Sequence, residues 1–303
     1  MRQSENLKYW SECWKATTSA VQTEPDENKV AERWNKRWEK RPEKRMPEKS
    51  GHPPEEEQMR RSSRETIDFL EEAGFSINGS TILDIGCGPG PLSIPLARMG
   101  AEVTSLDISS TTLERVREVA EKEGLSIKTM ECSWWSADID ALGLRNQYDL
   151  VIASRTPSIN DAGTLENMMA CSRNLCYYSS FLNLGENRAH MEIQKMIRGE
   201  GERPDDGMHH RHHRAYTMFF PFMYLYFSGY RPLVKINQAG RQGETTWEEA
   251  VGRSIQYFGR GRDLDAGTVE QIRNYYRNAS KDGVYRSSPS GCHGMMVWNV
   301  NGR

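Results

Sequence analysis

Apolar and polar positions alternate along this chain in two different rhythms. Short runs rich in β-branched residues recur at 81–85 (TILDI), 102–106, 126–131, 148–153 (YDLVIA) and 174–181 (NLCYYSSF), with later ones at 233–237 and 295–300. Each has the length and composition of a buried strand. Between them lie stretches with apolar residues three and four apart, which predict helices. The first covers 64–73 and stops at Gly74; the second covers about 91–99. A third covers 110–123, with Leu113, Val116, Val119 and Ala120 on one face, and a fourth, capped by Asn160 or Asp161, runs to about 173. Strand and helix alternating in this way predict an α/β fold with a doubly wound, mostly parallel sheet. Two further helices are predicted at 247–258 and 268–276.

The flanks follow other patterns. Within residues 1–64, Leu7, Trp10 and Trp14 form one helical stripe, and Val30, Trp34 and Trp38 form another. They predict an N-terminal helical extension whose tryptophans either anchor packing or form a lid. Residues 41–57, rich in proline and charge, read as a linker. After the fifth strand, 185–214 is a polar insertion ending in HHRHHR, and 216–230 (YTMFFPFMYLYFSGY) is the most aromatic stretch of the chain. Fifteen residues with an internal proline are too few to span a bilayer, so a buried cap helix or the wall of an apolar pocket is expected. The expected division is 1–64 extension, 65–184 core, 185–230 insertion or cap, and 231–303 completion of the sheet.

Composition narrows the setting more than the chemistry. The chain has 303 residues, 27% of them charged, and a formal net charge of −2. No global field draws in nucleic acid or an anionic membrane. Its six cysteines, with no C-x-x-C pair, read as reduced thiols, and the N-terminus shows no apolar leader core, so a cytoplasmic protein is expected. Oligomeric state has no signature here.

The candidate chemistry lies in 81–107. A strand runs into Gly86, Gly88 and Gly90, a helix follows, and a second strand delivers Asp107. Glycines there let a ligand approach the main chain, and an acid at that distance can accept hydrogen bonds from ribose hydroxyls. The dinucleotide fingerprint requires glycine where this chain has Pro91. The sequence Asp84-Ile85-Gly86-Cys87-Gly88-Pro89-Gly90 instead resembles motif I of the class I S-adenosylmethionine-dependent methyltransferases, with Asp107 matching that family's ribose acid. YDLVIA is similar to its fourth-strand motif. The N-P-P-Y of amino-group methylases is missing after that strand, where Ser154-Arg155-Thr156-Pro157 stands.

The resemblance implies a seven-stranded sheet whose last strand inserts antiparallel beside the sixth, and S-adenosylmethionine as cofactor. It implies cofactor contacts from Asp84, Gly86, Cys87, Gly88 and Gly90, from Asp107 and Ile108, from Ser133 and Trp134 after the third strand, and from Ser154. Trp134 reads equally as a stacking ring or as core. On the acceptor side Arg155, Asn160 and His213 are the candidates, Arg155 because a guanidinium can grip a carboxylate or phosphate bidentately. An oxygen nucleophile needs a base, for which His213, His212 and Tyr9 are available; a thiolate needs only desolvation. The histidines at 209–213 also invite a metal reading, but no metal is assigned. The expected function is methyl transfer to a small molecule under a cover formed by the N-terminal helices and the insertion. Methylation of protein or RNA is the alternative, followed by a non-catalytic binder of the cofactor.

Overall fold

A computed structural model describes residues 2–20, 26–39, 55–183, 188–198, 217–239, 243–259, 263–287 and 291–302. Seven strands form one sheet in the order β3-β2-β1-β4-β5-β9-β6. They are β1 (Thr81–Ile85), β2 (Glu102–Asp107), β3 (Ile127–Glu131), β4 (Tyr148–Ser154), β5 (Ser172–Asn183), β6 (Leu233–Ala239) and β9 (Gly291–Asn299). The first five run parallel, and β9 enters antiparallel between β5 and β6. The seven-stranded sheet and its inserted last strand are as expected.

Period-two alternation explains why the central strands read as continuous apolar runs. Leu83, Ile85, Val151 and Ala153 belong to one core cluster, whereas Ile82, Leu150 and Ile152 belong to another on the opposite face. Both faces are covered, so both sets of positions are mainly apolar, apart from hydrogen-bonded residues such as Asp84 and Ser105. Helix α3 (Glu55–Glu72) covers the second face with Ile67, Phe69 and Leu70. It begins well before residue 64, inside the stretch read as linker, because its first turns carry charge rather than an apolar stripe. Helix α4 (Ser93–Arg98) is shorter than the 91–99 expected. Pro89, Pro91 and Pro95 each lack an N–H, and regular helix starts only after Leu92. Helix α5 (Ser110–Glu123) is capped by Ser109, and α6 (Ala162–Cys171) by Asp161 in a reciprocal box with Thr164.

The N-terminal helices do different jobs. In α1 (Arg2–Ser19), Trp14 is 1% exposed, stacks on Phe220 at 6.2 Å and joins the first core cluster. Thr18 Oγ1 donates to the carbonyl of Asn160 at 2.8 Å, which ties α1 to the start of α6. Helix α2 (Glu27–Glu39) instead lies against α5. The stretch 185–230, expected as one cap, is also divided. Helix α7 (Arg188–Arg198) packs through Ala189 and Ile193 on α9 (Trp247–Gly259) and α10 (Ala266–Ala279), forming a third small core. Helix α8 (Phe219–Phe227) returns to the first core beside α1, and the Tyr224 hydroxyl donates to Glu166 of α6. A two-stranded sheet of β7 (Gly243–Thr246) and β8 (Val284–Ser287), absent from the sequence reading, borders the third core. No helix among the described residues is long and apolar enough to cross a membrane.

Candidate active site

The site begins with the hydrogen bonds that shape the turn after β1. The amides of Gly86 and Cys87 both donate to the carbonyl of Leu106, at 2.7 and 3.1 Å, so the turn starts as an extension of the β1–β2 pairing. Gly86, with φ 67°, has no room for a side chain: a Cβ there would overlap Thr156 Oγ1. Gly88, with φ 54°, is different, since a Cβ there would meet nothing nearer than Trp38 Cζ2 at 3.9 Å. One glycine is required by packing, and the other leaves bare main chain facing open space. Gly90 is again a packing glycine, with the side chains of Ile94 and Val116 against it.

Two acids hold this turn. The Asp107 carboxylate accepts from the Gly88 amide at 2.8 Å through one oxygen and from the Ser109 amide at 2.8 Å through the other. Asp84 is 2% exposed and accepts from Ser93 Oγ at 2.7 Å, while Ser105 Oγ donates to Ser93 at 2.8 Å. Burial raises the pKa of both acids. The Ser93 hydrogen bond lowers that of Asp84 and the Asp107 charge raises it again, leaving Asp84 at about 6. The Cys87 thiol is likewise pushed up, mainly by burial and further by the two acids, so it stays protonated.

Above the turn lies a cavity of about 460 Å3. Gly86, Cys87, Gly88, Asp107, Ile108, Ser133, Trp134, Ser154 and Arg155 line it together, although they come from four separate loops. Its size falls within the range of small-molecule sites. Asp84 and Gly90 are absent from this wall: the first supports the turn from below through Ser93, and the second packs α4 on α5. Asn160 is also elsewhere, buried at the α6 cap with its side-chain carbonyl accepting from Thr164 Oγ1 at 3.3 Å. Tyr9 is 58% exposed on α1, edge-on to Trp10, and does not border the cavity. His212 and His213 lie outside the described residues. Among the described residues no cluster of histidine, cysteine and acid residues has the arrangement of a metal site.

Trp134 resolves the two readings of its ring. It is 3% exposed and its indole N–H donates to the Thr164 carbonyl at 3.1 Å, so it is a core residue with one edge on the cavity. Its half-buried neighbour Trp135 lines the same wall, held by a 3.1 Å bond to the Pro157 carbonyl. Ser133 between them and the turn has a buried hydroxyl with no hydrogen-bond partner among the described residues. A buried polar atom left in that state costs roughly 1–3 kcal/mol. A ligand that brings a polar edge to Ser133 and hydroxyls to Asp107, and lays its chain on Gly88, fits this donor set; a nucleoside with a flexible tail has that form.

The roof comes from α2, through Trp34, Arg37 and Trp38. Hydrogen bonds hold it down, among them Ser109 Oγ to Asn35 Oδ1 at 2.7 Å, the Thr111 amide to the same oxygen at 3.4 Å, Arg115 to the Trp38 carbonyl at 2.7 Å, and Ser136 Oγ to Glu27 at 2.7 Å. The first runs through the residue whose amide Asp107 holds, so roof and turn are coupled. The stripe of Val30, Trp34 and Trp38 carried the sequence signal for this, and Thr156 lay in the segment after the fourth strand; Phe181, which also lines the cavity, carried none.

Residues 82–175 match the family described as Methyltransferase domain. The chain is 43% identical over 61 residues to "Ubiquinone biosynthesis O-methyltransferase" of Actinobacillus pleuropneumoniae serotype 5b (strain L20), which is 20% of this chain and 26% of that protein. It is 53% identical over 78 residues to the protein of the same name from Methylocella silvestris, 25% of this chain and 28% of that one. With "Probable S-adenosyl-L-methionine-dependent methyltransferase TehB" of Haemophilus influenzae (strain 10810) it shares 32% identity over 83 residues, 27% of each chain. The match thus spans about a quarter of these relatives. Among solved structures, magnesium protoporphyrin IX methyltransferase from Synechocystis PCC 6803 aligns over 90% of this chain and 98% of its own at 14% identity, with a TM-score of 0.47.

Proposed function

We propose that the chain, whose residues 82–175 match the family described as Methyltransferase domain, is a class I S-adenosylmethionine-dependent methyltransferase that transfers the cofactor's methyl group to a small-molecule acceptor in the cavity under α2. The observation that carries this reading is the convergence of open main chain at Gly88, the Asp107 carboxylate and the unpartnered Ser133 hydroxyl on one cavity. Bound there, S-adenosylmethionine supplies a methyl group on a sulfonium, activated for in-line displacement. We assign the ribose hydroxyls to Asp107, the adenine edge to Ser133 beside Trp135, and the amino-acid portion to the main chain at Gly86–Gly88.

The remaining wall, Arg155 to Ser158 with Phe181, is assigned to the acceptor, and Arg155 is the cation of that wall among the described residues, Arg37 lying in the roof. In this reading α2 excludes water from the reacting atoms, which strengthens electrostatic contacts inside and favours a nucleophile shorn of its hydration shell. A roof of tryptophans favours a small acceptor over a protein or RNA, since a polymer needs an open groove. The relatives named as O-methyltransferases favour an oxygen nucleophile.

Calorimetry is expected to give micromolar binding of S-adenosylmethionine and S-adenosylhomocysteine and no heat with NAD; the reverse would remove the cofactor assignment. Transfer itself is read from a metabolite screen with labelled methyl donor. Ser133→Ala should weaken both sulfur ligands by about fivefold, the loss of one neutral hydrogen bond, with an unchanged melting temperature. An unaltered affinity would move the adenine away from Ser133.

A further inference from the structure

Two features at the acceptor end of the cavity are not explained by the cofactor. The first is Arg155. It lines the cavity, and among the described residues it has no hydrogen-bonded or ion-paired side chain. Its backbone is held at φ 50°, a left-handed conformation uncommon for a side chain of this size, and its amide is fixed by the Ser179 carbonyl at 2.8 Å. Burial among protein atoms lowers its pKa, and the groups that act on it most are Tyr177 and Glu65. Glu65 accepts from the Asn237 amide at 3.4 Å. A guanidinium positioned and left unpaired in this way is a receptor for an anion.

The second is His293 of β9. The β5–β9 register sets it directly opposite Phe181, a cavity-wall residue, with the rings edge-on at 5.9 Å. On the other side β6 sets Asn237 opposite it. Its Nε2 is shut off from solvent and has no hydrogen-bond partner among the described residues. Burial, and then the Arg155 charge, push its pKa down to about 4, so the ring is neutral at physiological pH and can exchange a hydrogen bond with a hydroxyl. Phe181 thus stands between His293, which does not itself line the cavity, and the acceptor end of the cavity.

We propose that the methyl acceptor is a small hydroxylated organic acid, whose carboxylate pairs with Arg155 while a hydroxyl, reached past Phe181, bonds Nε2 of His293. This rests on the methyltransferase reading above and adds the acceptor's chemical class to it. A carboxylate pairs with the guanidinium on its open, cavity-facing side, and the hydroxyl satisfies the buried nitrogen; among the described residues neither group has a hydrogen-bonded side-chain partner. His293 is thereby an acceptor-contacting residue.

The test titrates the full chain, saturated with S-adenosylhomocysteine, with 3- and 4-hydroxybenzoate, benzoate and the matching hydroxybenzyl alcohols. A hydroxybenzoate is expected to bind about tenfold more tightly than benzoate and more tightly still than either alcohol. Arg155→Gln should abolish the preference for the charged probes. His293→Ala should erase the advantage of the hydroxyl yet leave benzoate affinity as it was, and His293→Gln should restore part of it. Affinity for S-adenosylhomocysteine, measured on each variant, reports the intact fold. The proposal is overturned if no acid binds, if the alcohols bind as well as the acids, or if His293→Ala keeps the hydroxyl preference. Failure of the wild-type chain to bind S-adenosylhomocysteine would instead remove the methyltransferase reading.

Discussion

Asp107→Ala is expected to raise the dissociation constants of S-adenosylmethionine and S-adenosylhomocysteine by at least about a hundredfold. Hydrogen bonds to a charged acceptor contribute roughly 1.5–3 kcal/mol each, and two ribose hydroxyls meet one carboxylate. The substitution also releases the amides of Gly88 and Ser109, each held at 2.8 Å, so the turn loses its brace as well as its ligand contact. Because Ser109 in turn donates to Asn35 of α2, the roof loosens with the turn. Both ligands should suffer alike, since they share the ribose and differ only at sulfur. The fold should survive: Asp107 sits at the end of β2, outside both core clusters, and its removal also relieves a carboxylate whose pKa burial has raised. Calorimetry on the variant, with its circular dichroism and melting temperature beside the wild type, decides the point. Equal affinity in the two proteins would place the ribose elsewhere.

The parts of this site that were legible in the sequence are those in which a local pattern and a chemical requirement coincide. A β-branched run, three glycines and a following acid leave few alternatives, because the steric need at Gly86 and the hydrogen-bonding need at Asp107 are both written within one strand–turn–helix–strand unit. The doubly wound parallel sheet followed from the repeated alternation, and the place of the last strand from the family resemblance. Trp134 was ambiguous for a physical reason: a large ring with a polar N–H suits both a core with a carbonyl in reach and a ligand wall, and only the position of Thr164 decides between them. The division of the two tryptophan stripes was hidden for the same reason, as Trp14 and Trp38 differ in what faces them and not in their own periodicity. His293 and Phe181 become neighbours only through the antiparallel entry of β9 beside β5, a pairing between distant segments that no local pattern reports. The β7–β8 pair escaped because GETT and VYRS are too short and too polar to stand out. The histidine run at 209–213 lies outside the described residues, so its three readings stand as they were.

The second large effect concerns Asp84, which the protein keeps at a cost. A carboxylate with a folded pKa near 6 against an ordinary value of 3.8 is stabilised in its protonated form. Its contribution is therefore fully present below about pH 3.8 and is lost as the pH rises through 6, leaving a penalty of about 3 kcal/mol at neutral pH from the 6 − 3.8 difference. Asp84→Asn keeps a carbonyl to accept from Ser93 and removes the charge. At pH 7.5 the variant without ligand is expected to melt about 5 °C above the wild type, with the gap closing as the pH falls toward 4. An amide could still accept the Ser93 hydrogen bond, so that bond does not explain why the acid is there. The charge distinguishes the two: the Asp107 charge acts on Asp84, and both acids act on Cys87, so the ionised pair makes the potential beneath the turn negative. A sulfonium ligand is stabilised by that field and a neutral thioether is not. The same Asp84→Asn variant that gains stability should therefore lose affinity for S-adenosylmethionine relative to S-adenosylhomocysteine, by about tenfold, with the discrimination of the wild type falling in parallel as Asp84 takes up its proton below pH 6. A variant that is stabilised but discriminates as before would mean that the buried charge serves the turn alone; one that discriminates less than the wild type above about pH 6, with the two converging below it, ties the cost of burying Asp84 to the charge of the methyl donor.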